Sequence, residues 1–175
     1  HSAIRWSLST GAIEARYHGH TGLVSAVCVS PANDKYLLTS SHDRTAILWH
    51  VHRANKLRQF SVHGDIILSA CFIPNGRFFV TCSKDTNAIV WDVESGERIQ
   101  MLSAHTDWIN KVQSSPDGRY LVTASDDFSA ILWDISGLNK DLRARLIMLY
   151  CLRKISARSG SKLSCARVYR TRNSS

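Results

Sequence analysis

A hydroxyl, an imidazole and a carboxylate recur together three times in this chain: Thr39 with His20 and Asp43, Thr81 with His63 and Asp85, Thr123 with His105 and Asp127. Such a trio can orient a base and activate a nucleophile, the arrangement behind serine-type acyl transfer. The recurrence itself argues otherwise. Each Asp stands six residues before a tryptophan (Trp49, Trp91, Trp133), and each His stands 11 before a proline (Pro31, Pro74, Pro116). A reaction centre is seldom written three times at fixed spacing in one small chain, whereas a buried polar lock must appear in every structural unit that uses it. The spacing therefore favours a structural set over a catalytic one.

Other chemistry finds less support. His18 with His20, and His50 with His52, have no Cys or carboxylate at the spacing that completes a zinc set, so no metal is expected. Neither the lysine-containing phosphate loop nor the dinucleotide glycine fingerprint is present, and no cofactor is expected. The stretch "SGSK" at 159 to 162 reads as a flexible segment.

The elements that position the recurring residues are themselves repeated. The core Ala-Ile-x-Trp is written at 3 to 6, 46 to 49, 88 to 91 and 130 to 133, at steps of 43, 42 and 42. One supersecondary unit is thus copied along the chain. Each copy reads as β-structure: "LVSAVCVS", "IILSACFI" and "WINKVQSS" lead to the prolines, and "YLLTSS", "FFVTCS" and "YLVTAS" come after them. Between them "NGR" and "DGR" supply hairpin turns in the second and third copies, with "ANDK" one residue longer in the first. Apolar residues fall on both parities of these strands, which predicts sheets stacked face to face.

Charge separates the repeats from the C-terminal tail. Residues 1 to 136 carry 12 Lys/Arg against 13 Asp/Glu, while residues 137 to 175 carry 10 against one. The net +8 of the chain therefore belongs to the tail, and the repeats offer no basic footprint for nucleic acid. In the tail, "DLRARLIMLYCLRK" at 141 to 154 has the pattern of a basic amphipathic helix, with Leu142, Leu146, Leu149 and Tyr150 on one side. The Ser/Arg-rich remainder reads as disordered. A fourth His is due near 147, but Ile147 stands there, so the tail is either an acquired binding segment or a spliced or frame-shifted end without a role.

Five cysteines, an odd number without a C-x-x-C pair, read as reduced thiols in a cytoplasmic or nuclear protein. No run of 18 apolar residues predicts a membrane span, and the start at His1 is neither a signal peptide nor an initiator Met, which reads as a fragment.

These landmarks resemble the WD-repeat β-propellers. The likeness covers roughly residues 1 to 136 and rests on "GH" at 19 to 20, "SPDG" at 115 to 118, the S-x-D triplets ending at Asp43, Asp85 and Asp127, and "WD" at 91 to 92 and 133 to 134. Departures are "WS" and "WH" at 6 to 7 and 49 to 50, and "VH" and "AH" at 62 to 63 and 104 to 105. The resemblance implies an all-β fold, a partial β-propeller of four-stranded antiparallel blades. The last strands of one blade occupy 1 to 18, and three blades occupy 19 to 62, 63 to 104 and 105 to 136, the third lacking part of its sheet. With fewer than the ~4 blades a propeller needs, the ring is not closed by this chain.

The same resemblance implies that the Asp accepts a bond from the His, the His reaches the Thr, and the Thr accepts from the Trp indole. It places partner-facing side chains at the third and fifth residues after each His and at the residue before each Asp. These are Leu23, Ser25 and His42; Ile66, Leu68 and Lys84; Trp108, Asn110 and Asp126. Trp108 is the one tryptophan outside the fourfold register, either a binding anchor or a residue packed under its own loop. The implied function is a non-enzymatic scaffold for protein assembly, with other proteins or further blades of a longer chain as partners. The rival reading is a nucleic-acid- or membrane-associated factor acting through the basic tail, whose binding would weaken steeply with salt.

Overall fold

Two of the turns in each four-stranded sheet carry the chemistry that recurs from copy to copy. In the computed structural model, which describes residues 1–32, 34–139 and 153–156, the first turn of the second and third copies bends at Gly76 and Gly118, with φ of +69° and +68°. Ile73 N–H donates to the Phe78 carbonyl across one turn, and Ser115 N–H to the Tyr120 carbonyl across the other. In the first copy the pairing widens by a residue, Ser30 to Tyr36, and Asp34 takes the left-handed conformation at φ +48°. The second turn comes after the repeated Asp, whose carboxylate accepts the amide of Thr45, Asn87 or Ser129 two residues on.

Fourteen strands result among the described residues. β1 (Ser2–Trp6) and β2 (Ile13–His18) form a two-stranded sheet. β3 (Val24–Val29), β4 (Tyr36–Ser41), β5 (Ala46–His50) and β6 (Lys56–Phe60) form the first four-stranded sheet, in chain order. β7 (Ile67–Phe72), β8 (Phe78–Ser83), β9 (Asn87–Asp92) and β10 (Arg98–Ser103) form the second. β11 (Ile109–Ser114), β12 (Tyr120–Ser125), β13 (Ser129–Asp134) and β14 (Arg153–Ser156) form the third, with a short 3-10 helix at Ser136–Asn139 after β13. All neighbouring strands are antiparallel. These are the blades of a partial propeller, and the ring is not closed.

The core lies between sheets, and it explains why both strand parities are apolar. Leu38, Ala46, Leu48 and Phe60 of the first four-stranded sheet pack on Ile67, Ala70, Phe79, Ile89 and Trp91 of the second. The opposite face of that second sheet, through Phe78, Val80, Ala88, Val90 and Leu102, packs on Ile109, Val112, Leu121, Ile131 and Trp133 of the third. β8 is consequently buried at all six positions. The two-stranded sheet is tied to the next one by Tyr17 against Trp49, and the hydroxyl of Tyr17 and the guanidinium of Arg5 both donate to the Val51 carbonyl, each at 2.6 Å. Among the described residues the two-stranded sheet and the third four-stranded sheet each pack on one neighbouring sheet only. Val122 of β12 is 40% exposed, and Val27 of β3, in the first four-stranded sheet, is 58% exposed.

The tail departs from expectation at one place. Its local pattern predicts Arg153 and Lys154 at the end of a helix and Ile155 and Ser156 in a disordered stretch, but these four residues form β14, paired to β13. The outer edge of β13 presents unpaired backbone groups, and pairing them outweighs a local helical pattern that has no core of its own to bury. Ile155 stands opposite Ala130, the register position that Phe60 holds opposite Ala46 and Leu102 opposite Ala88. The rest of the expected helix, Leu142, Leu146, Leu149 and Tyr150 included, and residues 157 to 175 lie outside the described residues. No helix among the described residues is long and apolar enough to cross a membrane.

Candidate functional site

Each repeated His sits in the loop before the first strand of its sheet, the Thr in the middle of the second strand, the Asp in the next turn and the Trp near the end of the third strand. Strand pairing brings them together. His20 Nδ1 lies 2.9 Å from Asp43 Oδ2, His20 Nε2 lies 2.8 Å from Thr39 Oγ1, and Trp49 Nε1 donates to the same Oγ1 at 2.8 Å. The second set repeats this, with His63 at 2.8 Å from both Asp85 and Thr81, and Trp91 at 2.9 Å from Thr81. In the third, His105 is 2.9 Å from Asp127 and 2.8 Å from Thr123, and Trp133 is 2.9 Å from Thr123. Turn amides complete each carboxylate: Thr21, Gly64 and Thr106 donate to the oxygen that faces the imidazole.

The order carboxylate, imidazole, hydroxyl is that of a nucleophilic triad, and the distances are within catalytic reach. Access is not. Thr39, Thr81 and Thr123 are fully buried, and each oxygen already accepts an indole N–H. With Nδ1 donating to the carboxylate, the threonine proton points to Nε2, so donors and acceptors are matched without leaving a group for a substrate. Burial alone would raise the Asp43 carboxyl, but bonds from the Thr45 hydroxyl, the Thr21 amide and His20 outweigh it and hold it at about 2. Asp85 and Asp127 are lowered likewise against the effect of burial, Asp85 chiefly by His63, Asp127 by the Ser129 hydroxyl and His105.

Six of the nine residues expected on the rim fall into backbone-bonded pairs. A backbone bond joins the residue before the Asp to the third residue after the His in every copy: His42 N–H to Leu23, Lys84 N–H to Ile66, Asp126 N–H to Trp108. Leu23, Trp108, Asn110 and Asp126 are exposed, while His42, Ile66, Leu68 and Lys84 are half-buried. Lys84 Nζ lies 3.6 Å above the Trp108 ring, linking the second sheet to the third, and Trp108 keeps 42% of its surface exposed. Asn110 donates its amide to the Asp126 carboxylate. Ser25 differs: its hydroxyl donates to the Ile67 carbonyl at 2.6 Å and meets Ser40 Oγ at 2.9 Å, so it joins β3 to β7.

Two features were not read from the sequence. Phe128, 86% exposed, occupies the left-handed turn position after Asp127, where the other copies have Arg44 and Thr86. A bulky apolar residue there is strained and uncovered, and its signal was the mismatch between copies. The Ser of each S-x-D triplet accepts the amide of its own Asp, at 3.1 Å in all three. Cys28 and Cys71, in equivalent places of β3 and β7, are half-buried, and burial pushes their thiols up to about 12 and about 11.

Comparison with known proteins agrees with this geometry. The family model for the WD domain, G-beta repeat, matches residues 11–50, 54–92 and 96–134. The chain is 38% identical over 71 residues to the small ribosomal subunit protein RACK1 of Drosophila melanogaster, covering 40% of this chain and 21% of that protein. It is 38% identical over 58 residues to a guanine nucleotide-binding protein subunit beta of Dictyostelium discoideum, covering 33% and 16%. To the Set1 complex component swd1 of Schizosaccharomyces pombe it is 38% identical over 69 residues, covering 39% and 16%. The matched segments thus span about a fifth or less of these relatives. Three consecutive family matches, on the sheets whose His, Thr, Asp and Trp side chains interlock, show that the chain belongs to the WD40 repeat family.

Proposed function

We propose that this chain is a non-enzymatic scaffold for protein assembly, whose partner docks on the rim that carries Leu23, Ile66, Lys84, Trp108, Asn110 and Asp126. The observation that carries the reading is the half-exposed Trp108, braced by Lys84 at 3.6 Å. An aromatic held in place but open on one side, next to the Asn110–Asp126 pair, combines apolar area with oriented polar groups, the make-up of an interface anchor. The trios that imitate a triad serve the fold, since their hydroxyls are buried and bonded. The matched relatives include a ribosomal subunit protein and a component of a Set1 complex, which fits membership of a multi-protein assembly in the cytoplasm or nucleus.

The test is site-specific photo-crosslinking in cells, with the reactive group placed at Leu23 or Asp126 on the rim, or at Glu94 in the turn between β9 and β10 at the other end of the strands. The scaffold reading expects discrete adducts from the rim positions and none shared with Glu94. Adducts of equal pattern from both ends would contradict it.

A further inference from the structure

One copy departs from the others in charge at the end of the sheets opposite the rim. There the amide two residues after each register tryptophan donates to the residue that precedes the second strand: Val51 to the Lys35 carbonyl, Val93 to Arg77 and Ile135 to Arg119, at 2.9, 2.8 and 2.8 Å. The residue directly after the tryptophan is an aspartate in the last two copies. Asp92 accepts Arg77 Nε at 3.2 Å and the Glu94 and Ser95 amides at 2.9 Å each, and Asp134 accepts the Ser136 amide at 2.9 Å. In the first copy that place is held by His50, and Lys35 stands where the others have arginine. The backbone frame is kept while the carboxylate is exchanged for a base.

The exchange gathers basic groups on one turn. His50 Nδ1 accepts the Arg53 amide at 3.4 Å, which leaves the proton of the neutral ring on Nε2 as a donor. The His52 ring lies 6.3 Å from the His50 ring. Desolvation, then the charges of Arg53, His52 and Lys35, push the His50 imidazole below its ordinary range, the mark of cations that face it. Lys35, His52 and Arg53 are exposed and His50 is half-buried. On the adjoining elements, Arg5 of β1 donates to the Val51 carbonyl and is paired with Glu14 of β2 at 3.0 Å, Lys56 at the start of β6 turns to Gln59, and Asp34 stands beside Lys35. Basic groups so arranged repel one another, and an anion among them offsets that cost.

We propose that His50, His52 and Arg53, with Lys35 beside them, bind a phosphate monoester carried by a phosphorylated segment of a partner protein. A phosphate brings close to two negative charges and three acceptor oxygens, so it matches several donors on one turn better than a carboxylate does. A flat anionic membrane fits less well. At the same end of the sheets the next turn carries exposed Glu94 and Glu97, and the sheet beyond carries exposed Asp117, all of which such a surface would meet together with the basic turn. A single phosphate on a narrow segment meets the basic turn alone. The proposal does not depend on the rim reading, because the turn lies at the opposite end of the strands.

The experiment follows the histidine ring signals of the 175-residue chain by NMR while a short alanine peptide bearing one phosphoserine is added. The His50 and His52 signals should move and saturate, with tighter binding as pH falls from about 8 to about 6.5 and the imidazoles take up charge. The same peptide with glutamate in place of phosphoserine should bind at least about tenfold more weakly. His50→Asp combined with Lys35→Arg rebuilds the ion pair of the second copy; it should keep the melting temperature of wild type and, read at His52, weaken phosphopeptide binding at least about tenfold. The basic tail attracts the peptide equally in both chains, so the difference between them reports the turn. If the double variant melts early, Arg53→Gln, a change at an exposed turn residue, takes its place under the same expectations. Equal binding of the phosphoserine and glutamate peptides, a variant that binds as tightly as wild type, or ring signals that move with phosphatidylserine vesicles and not with the phosphopeptide would overturn the proposal.

Discussion

Asp85→Ala isolates what one recurring carboxylate contributes. In the middle sheet Asp85 accepts His63 Nδ1 at 2.8 Å, the Gly64 amide at 2.9 Å and the Asn87 amide at 3.0 Å. After truncation Gly64, which is exposed, can turn to water, and Asn87 can do so in part. His63 cannot, because its side chain is only 1% exposed. One stranded buried donor costs roughly 1 to 3 kcal/mol, and the lost charge-assisted bond to the imidazole lies at the upper end of that range. A loss of about 3 kcal/mol in a chain of this size lowers the melting temperature by roughly 10 °C. Thermal melts monitored by circular dichroism read this directly. Asp85→Asn keeps an acceptor for His63 and should lose about half as much. A melting temperature for Asp85→Ala within error of wild type would refute the claim that the set holds the sheet together.

Three other perturbations probe the same geometry. Trp108→Ala should weaken partner binding by on the order of 2 kcal/mol, about thirtyfold, in a titration with the isolated partner; its melting temperature should stay well above that of a core tryptophan deletion, which loses roughly 3 to 5 kcal/mol. Asp43, whose carboxyl is held at about 2 by the Thr45, Thr21 and His20 bonds, stabilises the fold above the ordinary carboxylate pKa near ~4, and that contribution is lost as pH falls from about 4 toward about 2; urea midpoints across that range should decline less steeply for Asp43→Ala. Gly22→Ala should destabilise by roughly 1 to 3 kcal/mol in urea titration, since a Cβ there would stand 2.7 Å from the Asp43 amide nitrogen and 3.1 Å from the His42 carbonyl carbon, backbone that cannot swing aside.

The period of 42 to 43 residues made most of the fold legible. Tryptophan register alone located the third strand of each sheet, and Gly76 and Gly118 located the hairpins, because both depend on local chemistry that one copy shares with the next. β14 was illegible for the opposite reason. Arg153–Ser156 carries no repeat signal, and only the unpaired edge of β13, a tertiary fact, selects it as a strand. At the site, the residues of the polar sets were readable from recurrence, but burial of the threonine hydroxyls was not, since a hydroxyl in a strand can face either way. The rim was readable by position but not by contact. That Lys84 covers one face of Trp108 depends on how the second and third sheets stack, and that Ser25 turns inward depends on the Ile67 carbonyl of the next sheet. Phe128 gave no local signal of its own, because an exposed apolar residue at a left-handed turn position runs against both hydropathy and turn preference.

The five tryptophans separate the locking role from the docking role in a single measurement. Indole N–H groups of Trp49, Trp91 and Trp133 donate to buried threonines, whereas Trp6 and Trp108 are 54% and 42% exposed. In nitrogen-15 spectra of the tryptophan-labelled chain transferred to heavy water, three indole signals should persist and two should vanish quickly, and added partner should move the Trp108 signal while leaving those of Trp49, Trp91 and Trp133 in place. Five indoles exchanging alike, or a partner that shifts the three buried signals and not Trp108, would contradict the division between tryptophans that lock the sheets and the one proposed to meet a partner.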